Sequence, residues 1–243
     1  MRARLDVRLA ELGLAESREK AKRLILAGAV RVNGQLAHKA SDLVDGNAAL
    51  EVAAAERFVS RGGYKLEAAF DAFALSCRDG VCVDIGASTG GFTDCLLQHG
   101  ARCVHAVDVG KGQLDWRLRQ DARVVVHDEL NARHIQLTDI GTVADLVTMD
   151  ASFISLTKLL PAVVHLLRPG GQLVALIKPQ FEAGKQFVKK GGVVRDSQVH
   201  EQVKASITTF ATVSLGLELI GLIESPLLGP AGNKEFLIVL RKP

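Results

Sequence analysis

The sequence predicts an α/β protein, a doubly wound and mostly parallel sheet of seven strands, with a small α+β module ahead of it. Three observations carry this expectation. From Arg61 onward, seven apolar runs rich in β-branched residues alternate with helical segments. The first run, 81–85, passes straight into a loop with glycines at 86, 90 and 91, and a helix-like stretch follows. Ahead of residue 61 the pattern differs, with two short helical periodicities, an Asn-Gly turn and a surplus of Lys and Arg.

The totals fit a folded chain. At 243 residues there is room for one large domain, or a medium one and a small one. Apolar content of 48% and charged content of 23% are ordinary for a globular protein. A net charge of +3 is too small to identify a nucleic-acid binder, so its distribution has to be read. The opening MRARLDVRLAELG lacks the apolar core of a secretory signal, and no run approaches a membrane span. Cys77, Cys82, Cys95 and Cys103 show no paired spacing, so reduced cysteines and no metal are expected. These features imply a cytoplasmic protein that does not enter membranes; the sequence does not fix an oligomeric state, and a monomer is favoured.

Residues 1–60 form the small module, with a linker at 56–60, and residues 61–243 form the large one. Leu5, Leu9 and Leu12 recur at helical spacing. Ser17 is placed to cap a second helix bearing Ala21, Leu24 and Ile25, which Gly28 stops. Asn33-Gly34 lies between two extended runs, the strongest local sign of a tight hairpin. Nine basic residues face four acidic ones in the first 39 positions, and residues 40–60 reverse the sign. Such a patch suits a phosphate backbone, although basic helix faces are as often simply solvated.

The strands of the large module are expected at 81–85, 103–109, 123–128, 144–150, 172–178, 217–225 and 234–242. In such sheets a ligand sits beyond the carboxyl ends of the strands, so the loop after the first strand is its expected seat. That loop reads D-I-G-A-S-T-G-G, with Ser88 where a dinucleotide fingerprint has its second glycine. Asp84 just before the turn would repel a pyrophosphate and attract an ammonium group. S-adenosylmethionine offers an ammonium and no phosphate. Asp84 is expected near its amino-acid end, Asp108 with Val109 at the ribose, and Asp128 at the adenine amino group. Gly86, Ala87, Ser88, Thr89, Gly90, Gly91 and Phe92 complete the expected cofactor site.

Four charged residues stand out by position: Lys65 early in a helix, Asp150 and Lys178 at strand ends, and Glu235 opening the last strand. In the order K…D…K…E they resemble the tetrad of FtsJ-like RNA ribose 2′-O-methyltransferases, whose loop D-x-G-x-x-x-G-G-[WF] is matched from Asp84 to Phe92. The first module resembles the S4 RNA-binding domain through R-L-D at 4–6, S-R at 17–18 and A-G-A-V-x-V-N-G at 27–34. With SRGGYKLEAAF, MDASFISL, IKPQFE, KGGVVRD and GPAGNKEF, the whole chain resembles TlyA-type rRNA methyltransferases, the haemolysin A family.

The resemblance implies a Rossmann-like class I methyltransferase fold and methyl transfer to the ribose of cytidine in ribosomal RNA within ribosomal subunits. The large-subunit RNA is the expected target, with the small-subunit RNA as the alternative. Lys65, Asp150, Lys178 and Glu235 carry over as catalytic, and Arg57 and Phe58 as a linker that couples the modules. Arg4, Arg8, Arg18, Lys20, Lys22, Arg23 and Arg31 become the expected RNA contacts, joined by Lys189 and Lys190 of the loop KQFVKKGGVVRD.

The chemistry is consistent with this reading. A ribose hydroxyl must be positioned and relieved of one proton. A lysine takes that proton only where desolvation or a second cation favours its neutral form. Lys178 is the expected base, Lys65 the second cation, and the two carboxylates orient them. Phe153, Phe181 and His105 are expected to serve structure.

Other functions compete. A base N-methyltransferase commonly places D-P-P-[FYW] where this chain has D-A-S-F. A C5 enzyme needs a nucleophilic cysteine, and none follows position 103. A membrane-active haemolysin would need a spanning or cationic amphipathic segment that the sequence lacks. A pure RNA-binding module would have no use for the glycine loop and tetrad together.

Overall fold

The computed structural model describes residues 2–26, 28–53 and 56–243, without the side chain of Pro230. It divides into two compact units, Met1–Arg57 and Phe58–Pro243. Ala27, which opens the AGAVRVNG segment, lies outside the described residues.

The first unit runs β1 (Arg2–Arg4), α1 (Leu5–Glu11), α2 (Arg18–Leu26), β2 (Val30–Val32), β3 (Gln35–Leu36), β4 (Leu43–Asp45) and β5 (Leu50–Val52). β2 pairs antiparallel with β3 and with β5, and β1 pairs with β4. The hairpin turn holds Asn33 at φ 50° and Gly34 at φ 78°, the pair of positive angles that an Asn-Gly turn accommodates. Leu5, Leu9, Ala21 and Ile25 are buried against Val30 and Val44. Ser17 Oγ accepts from the N–H of Lys20 at 3.2 Å, which caps α2. Leu12 departs from the expected stripe, because α1 ends at Glu11 and Leu12 is 49% exposed.

The second unit carries α3 (Gly62–Phe73), β6 (Val81–Ile85), α4 (Gly91–Gln98), β7 (Cys103–Val107), α5 (Trp116–Arg119), β8 (Val124–His127) and α6 (Leu137–Ile140). Then follow β9 (Ala144–Met149), α7 (Leu156–Val163), β10 (Leu167–Ile177), α8 (Pro179–Glu182), α9 (Ser197–Thr209), β11 (Glu218–Glu224) and β12 (Phe236–Arg241). The seven strands lie in the order β11-β12-β10-β9-β6-β7-β8, and only β12 runs antiparallel to its two neighbours. The chain leaves β6 toward β7 and β8, then returns to β9 on the other side. The order therefore reverses between β6 and β9, the place where open α/β sheets bind ligands.

Alternation along the central strands splits the core in two. Val83, Ile85, Val147 and Met149 face the layer holding α7 and α9. Cys82 and Leu146 face the layer holding α3 and α4. β10 begins five residues before the expected strand, because Leu167 pairs with Ala144 ahead of a register shift at the Pro-Gly-Gly segment. Phe58 belongs to the expected linker at 56–60. Phe58 is 2% exposed inside the second unit, edge-on to Tyr64 with ring centroids 5.0 Å apart, so its hydrophobicity is used in that core.

Cys77, Cys82 and Cys95 are buried and Cys103 is half-buried, all as free thiols. No described helix is long and apolar enough to cross a membrane.

Candidate active site

The residues singled out at strand ends converge at the switch point. Asp150 directly follows β9, and Lys178 follows β10 as the residue preceding Pro179 at the start of α8. Lys178 Nζ lies 2.6 Å from Asp150 Oδ1 and donates to Ser152 Oγ at 2.8 Å. Lys65, in the first turn of α3, donates to Glu235 Oε2 at 2.6 Å. Lys65, Lys178 and Glu235 are 8%, 5% and 1% exposed, so both ion pairs are held largely out of water. Buried pairs of this kind are positioned at a cost in desolvation, which marks them as functional candidates rather than stabilisers.

Close packing brings α3 to the glycine loop. A Cβ on Gly91 would lie 2.4 Å from Ser60 Oγ and 2.8 Å from the Gly63 nitrogen. A glycine there lets the start of α3 touch the loop, and Lys65 is delivered to the cavity beside it. Glu182 secures the other wall. Its carboxylate accepts from Ser155 Oγ at 2.6 Å and from the Leu156 N–H at 2.8 Å, tying α8 to the start of α7. Burial raises the Glu182 pKa above the usual carboxylate range, against the pull of those two bonds.

Two cavities open here and share Gly86, Ser88, Asp150 and Ser152. The larger, about 690 Å³, is lined by Lys65, Lys178, Arg61, Ala87, Thr89, Gly91, Phe92 and Gly229, among others. The smaller, about 490 Å³, takes Asp108, Val109 and Gln113 on one side and Leu130, Ala132, Arg133, Ile154 and Leu159 on the other. Asp108 is fixed by the N–H of Ser88 on Oδ2 at 2.9 Å and the N–H of Gly110 on Oδ1 at 2.7 Å. Gly90 lines neither cavity and stands at the N-terminal end of α4. Phe153, at φ 65° and 90% exposed, edges the smaller cavity with its ring 5.2 Å from that of Phe181, outside the core where it was expected.

Besides Gly90, two further expected cofactor residues do not face these cavities. Asp84 has no exposure, and its oxygens accept from Thr93 Oγ1 at 2.7 Å and Thr148 Oγ1 at 2.9 Å. Strand alternation sets this, because Asp84 shares the face of Cys82 and points under α4. Burial pushes its pKa up to about 6, with the two threonine bonds opposing. Asp128 is also engaged. Both its oxygens accept from Arg119 Nη2 at 2.9 Å, and the Gly112 N–H adds a contact at 3.2 Å. The Arg119 bond holds the Asp128 pKa below the usual carboxylate range.

Sequence reading passed over Ser152, Arg61, Gly229 and the 130–133 segment. Ser152 had a signal, standing two residues after Asp150 in D-A-S-F, whereas Gly229 becomes visible only when the loop before β12 folds back.

The expected RNA contacts fall into two groups. Arg4, Arg8, Arg18, Lys20, Lys22, Arg23 and Arg31 belong to the first unit. There Arg8 pairs with Glu11, Lys22 with Glu19, and Arg31 donates to the Gly34 carbonyl. Lys20 and Arg23 are exposed and make no ion pair among the described residues. Lys189 and Lys190 are exposed on a loop closed by a bridge between Lys189 and Val193, and they line neither cavity.

Comparison with known proteins agrees with this layout. The chain is 47% identical over 242 residues to the 16S/23S rRNA (cytidine-2′-O)-methyltransferase TlyA of Mycobacterium tuberculosis, covering 99% of this chain and 90% of that one. It is 42% identical to Hemolysin A of Brachyspira hyodysenteriae, covering 96% and 98%. A solved structure from Streptococcus thermophilus that carries a hemolysin name superposes with a TM-score of 0.76 at 46% identity, covering 99% of this chain and 88% of that one. The fold is shared more widely. An S-adenosylmethionine-dependent methyltransferase structure from Listeria monocytogenes matches 76% of this chain and all of its own at 16% identity, with a TM-score of 0.55. Residues 3–50 match the S4 domain and residues 58–242 the FtsJ-like methyltransferase model, so the chain belongs to the FtsJ-like methyltransferases and carries an S4 domain in front.

Proposed function

We propose that this protein uses S-adenosylmethionine to methylate the ribose 2′-hydroxyl of cytidine in ribosomal RNA, in the cytoplasm. The single observation that carries the reading is the shared rim of the two cavities, where Lys178 meets Asp150 and Ser152.

The smaller cavity fits the cofactor. Val109, Leu130, Ile154 and Leu159 supply apolar walls for a base, and Asp108 keeps carboxylate lone pairs for ribose hydroxyls beyond its two backbone bonds. Ser88 of the loop and Asp150, which line both cavities, would hold the amino-acid end of the cofactor. When bound, the cofactor supplies an electrophilic methyl group on a sulfonium. The larger cavity receives the nucleotide, with Arg61 and Lys65 as cations for its phosphates.

Lys178 steers the 2′-hydroxyl at Nζ, which Ser152 and Asp150 hold in one orientation. Asp150 Oδ1, 2.6 Å away, takes up a lysine proton as Nζ accepts the proton that the hydroxyl gives up. That proton then leaves from the Lys178–Asp150 pair to solvent. Lys65 lines the larger cavity, and Glu235 keeps this second cation in place.

The reading is tested by transferring labelled methyl groups to unmodified ribosomal subunits and analysing the nucleosides. Label recovered as 2′-O-methylcytidine is expected, and the subunit that carries it names the target. Label on a base would overturn the assignment. Lys178→Ala is expected to lose methyl transfer while cofactor binding by calorimetry is unchanged; full activity in that variant removes Lys178 as the base.

A further inference from the structure

Asp6 is an unusual carboxylate for an RNA-facing unit. It is 0% exposed, and it accepts four hydrogen bonds. Arg4 reaches it with two atoms, Nε to Oδ1 at 3.0 Å and Nη2 to Oδ2 at 3.1 Å. Arg18 Nη2 bonds Oδ2 at 3.4 Å, and the Val7 N–H bonds Oδ1 at 3.0 Å. The two arginines come from different elements, the end of β1 and the start of α2, yet they meet on one oxygen.

Two other acid–arginine pairs of this unit are built differently. Arg2 and Asp45 are 66% and 65% exposed, and Arg8 and Glu11 are 28% and 54% exposed. In those pairs the acid competes openly with any phosphate, and screening leaves little net attraction. At Asp6 the acid is sealed while Arg4 and Arg18 remain 44% and 55% exposed. A guanidinium has five N–H donors, so both arginines keep donors that Asp6 does not use. Two guanidinium groups this close would repel one another without the shared carboxylate. The Arg4 bond holds Asp6 at about 2, so the carboxylate stays charged at any working pH.

The backbone fixes the arrangement from the other side. The Asp6 N–H donates to the Ala40 carbonyl at 3.1 Å and the Leu5 N–H to the Asp42 carbonyl at 2.9 Å.

We propose that Asp6 is a positioning residue for RNA binding: it clamps Arg4 and Arg18 into one two-armed site for phosphodiester oxygens of structured RNA. The inference rests on the RNA-methyltransferase reading above. Arginine suits the task because its planar fork pairs with two phosphate oxygens at once, and an arm that is already oriented loses less freedom on binding.

The test exploits a conflict of signs. Asp6→Asn removes a negative charge from the unit, so charge counting alone predicts tighter RNA binding. The clamp predicts the opposite. Binding of unmodified ribosomal RNA by the full chain, measured across a salt series, is expected to weaken about tenfold, with the salt slope falling by about one. The methylation KM for RNA should rise with kcat and cofactor affinity unchanged. Equal or tighter binding by Asp6→Asn would overturn the proposal.

Should that variant fail to fold, the double change Arg4→Lys with Arg18→Lys keeps every charge and removes only the forks. It is expected to bind about tenfold more weakly too; unaltered affinity there overturns the clamp independently. A wild-type chain that does not bind the RNA at all would instead refute the RNA reading, and the clamp with it.

Discussion

Gly229 has a backbone that any residue could adopt, with φ −67° and ψ 175°, yet a side chain there is excluded by its neighbour. An added Cβ would lie 2.1 Å from Glu235 Oε1, an atom that is buried without a hydrogen-bond partner among the described residues. The only way to accommodate it is to move the Glu235 carboxylate, and Lys65 is tied to that carboxylate at 2.6 Å. Gly229→Ala therefore displaces the second cation without touching the cofactor cavity. Since misplacement by about 1 Å can cost on the order of 100-fold, kcat should fall by about that factor while cofactor affinity holds. Single-turnover methylation beside a cofactor titration reads both quantities; an unchanged rate would show that the Lys65–Glu235 geometry is not needed. The convergence of Asp150, Lys178 and Glu235 was legible in the sequence because strand ends on one edge of a sheet share a rim, whereas Lys65 reaches them only through the packing of α3 against the glycine loop. The burial of Asp84 was not legible, because it depends on which face of β6 the side chain takes and on what Thr93 and Thr148 offer opposite it. Nor was the engagement of Asp128, whose oxygens both accept from Arg119 of a neighbouring helix.

Among the elements, the central strands were the most readable part, since the apolar runs of β6, β9 and β12 are buried in the sheet they form. The unit boundary was less so. Phe58 sits in a polar stretch that reads as linker, and only packing shows that it serves the second unit's core. The β7–β8 pair carries a feature with no local signal at all. His105 Nδ1 and His127 Nε2 lie 3.0 Å apart across the strands, with their rings stacked. Burial, then the His127 charge, holds His105 down at about 4, and burial lowers His127 as well. Both folded values lie below the ordinary histidine value, so the neutral pair favours the fold. That contribution is complete above about pH 6.5 and is lost as pH falls toward the folded values. Because β8 is the sheet edge, it is the strand that should loosen first. Hydrogen exchange corrected for intrinsic rates should show Val124–His127 losing protection between about pH 6.5 and 4.5, ahead of β9. Uniform protection across the sheet over that range would remove the histidine pair from the account of acid stability.

For the whole molecule, the charge distribution says more than its total. The first unit holds ten basic against eight acidic residues, and the whole chain carries only +3. A modest net charge cannot explain grip on RNA, but Lys20, Arg23 and Lys39 are exposed and make no ion pair among the described residues. In the proposed function, binding to RNA belongs largely to the first unit, and the cofactor and the methyl transfer belong to the second. The two should therefore come apart under substitution. Lys20→Ala, Arg23→Ala and Lys39→Ala combined should weaken RNA binding and flatten its salt dependence by about one for each phosphate no longer neutralised, at most about three in log–log slope. Cofactor affinity should be unmoved, and methylation should recover when the RNA concentration is raised. Lys178→Ala should do the reverse, leaving both RNA and cofactor affinity in place while methylation disappears at every RNA concentration. Filter binding across a salt series, cofactor calorimetry and methylation against RNA concentration measure all of this on one set of proteins. If the triple variant loses cofactor affinity as well, or if raising RNA fails to rescue it, the first unit does more than hold the substrate, and the division of labour proposed for the chain is wrong.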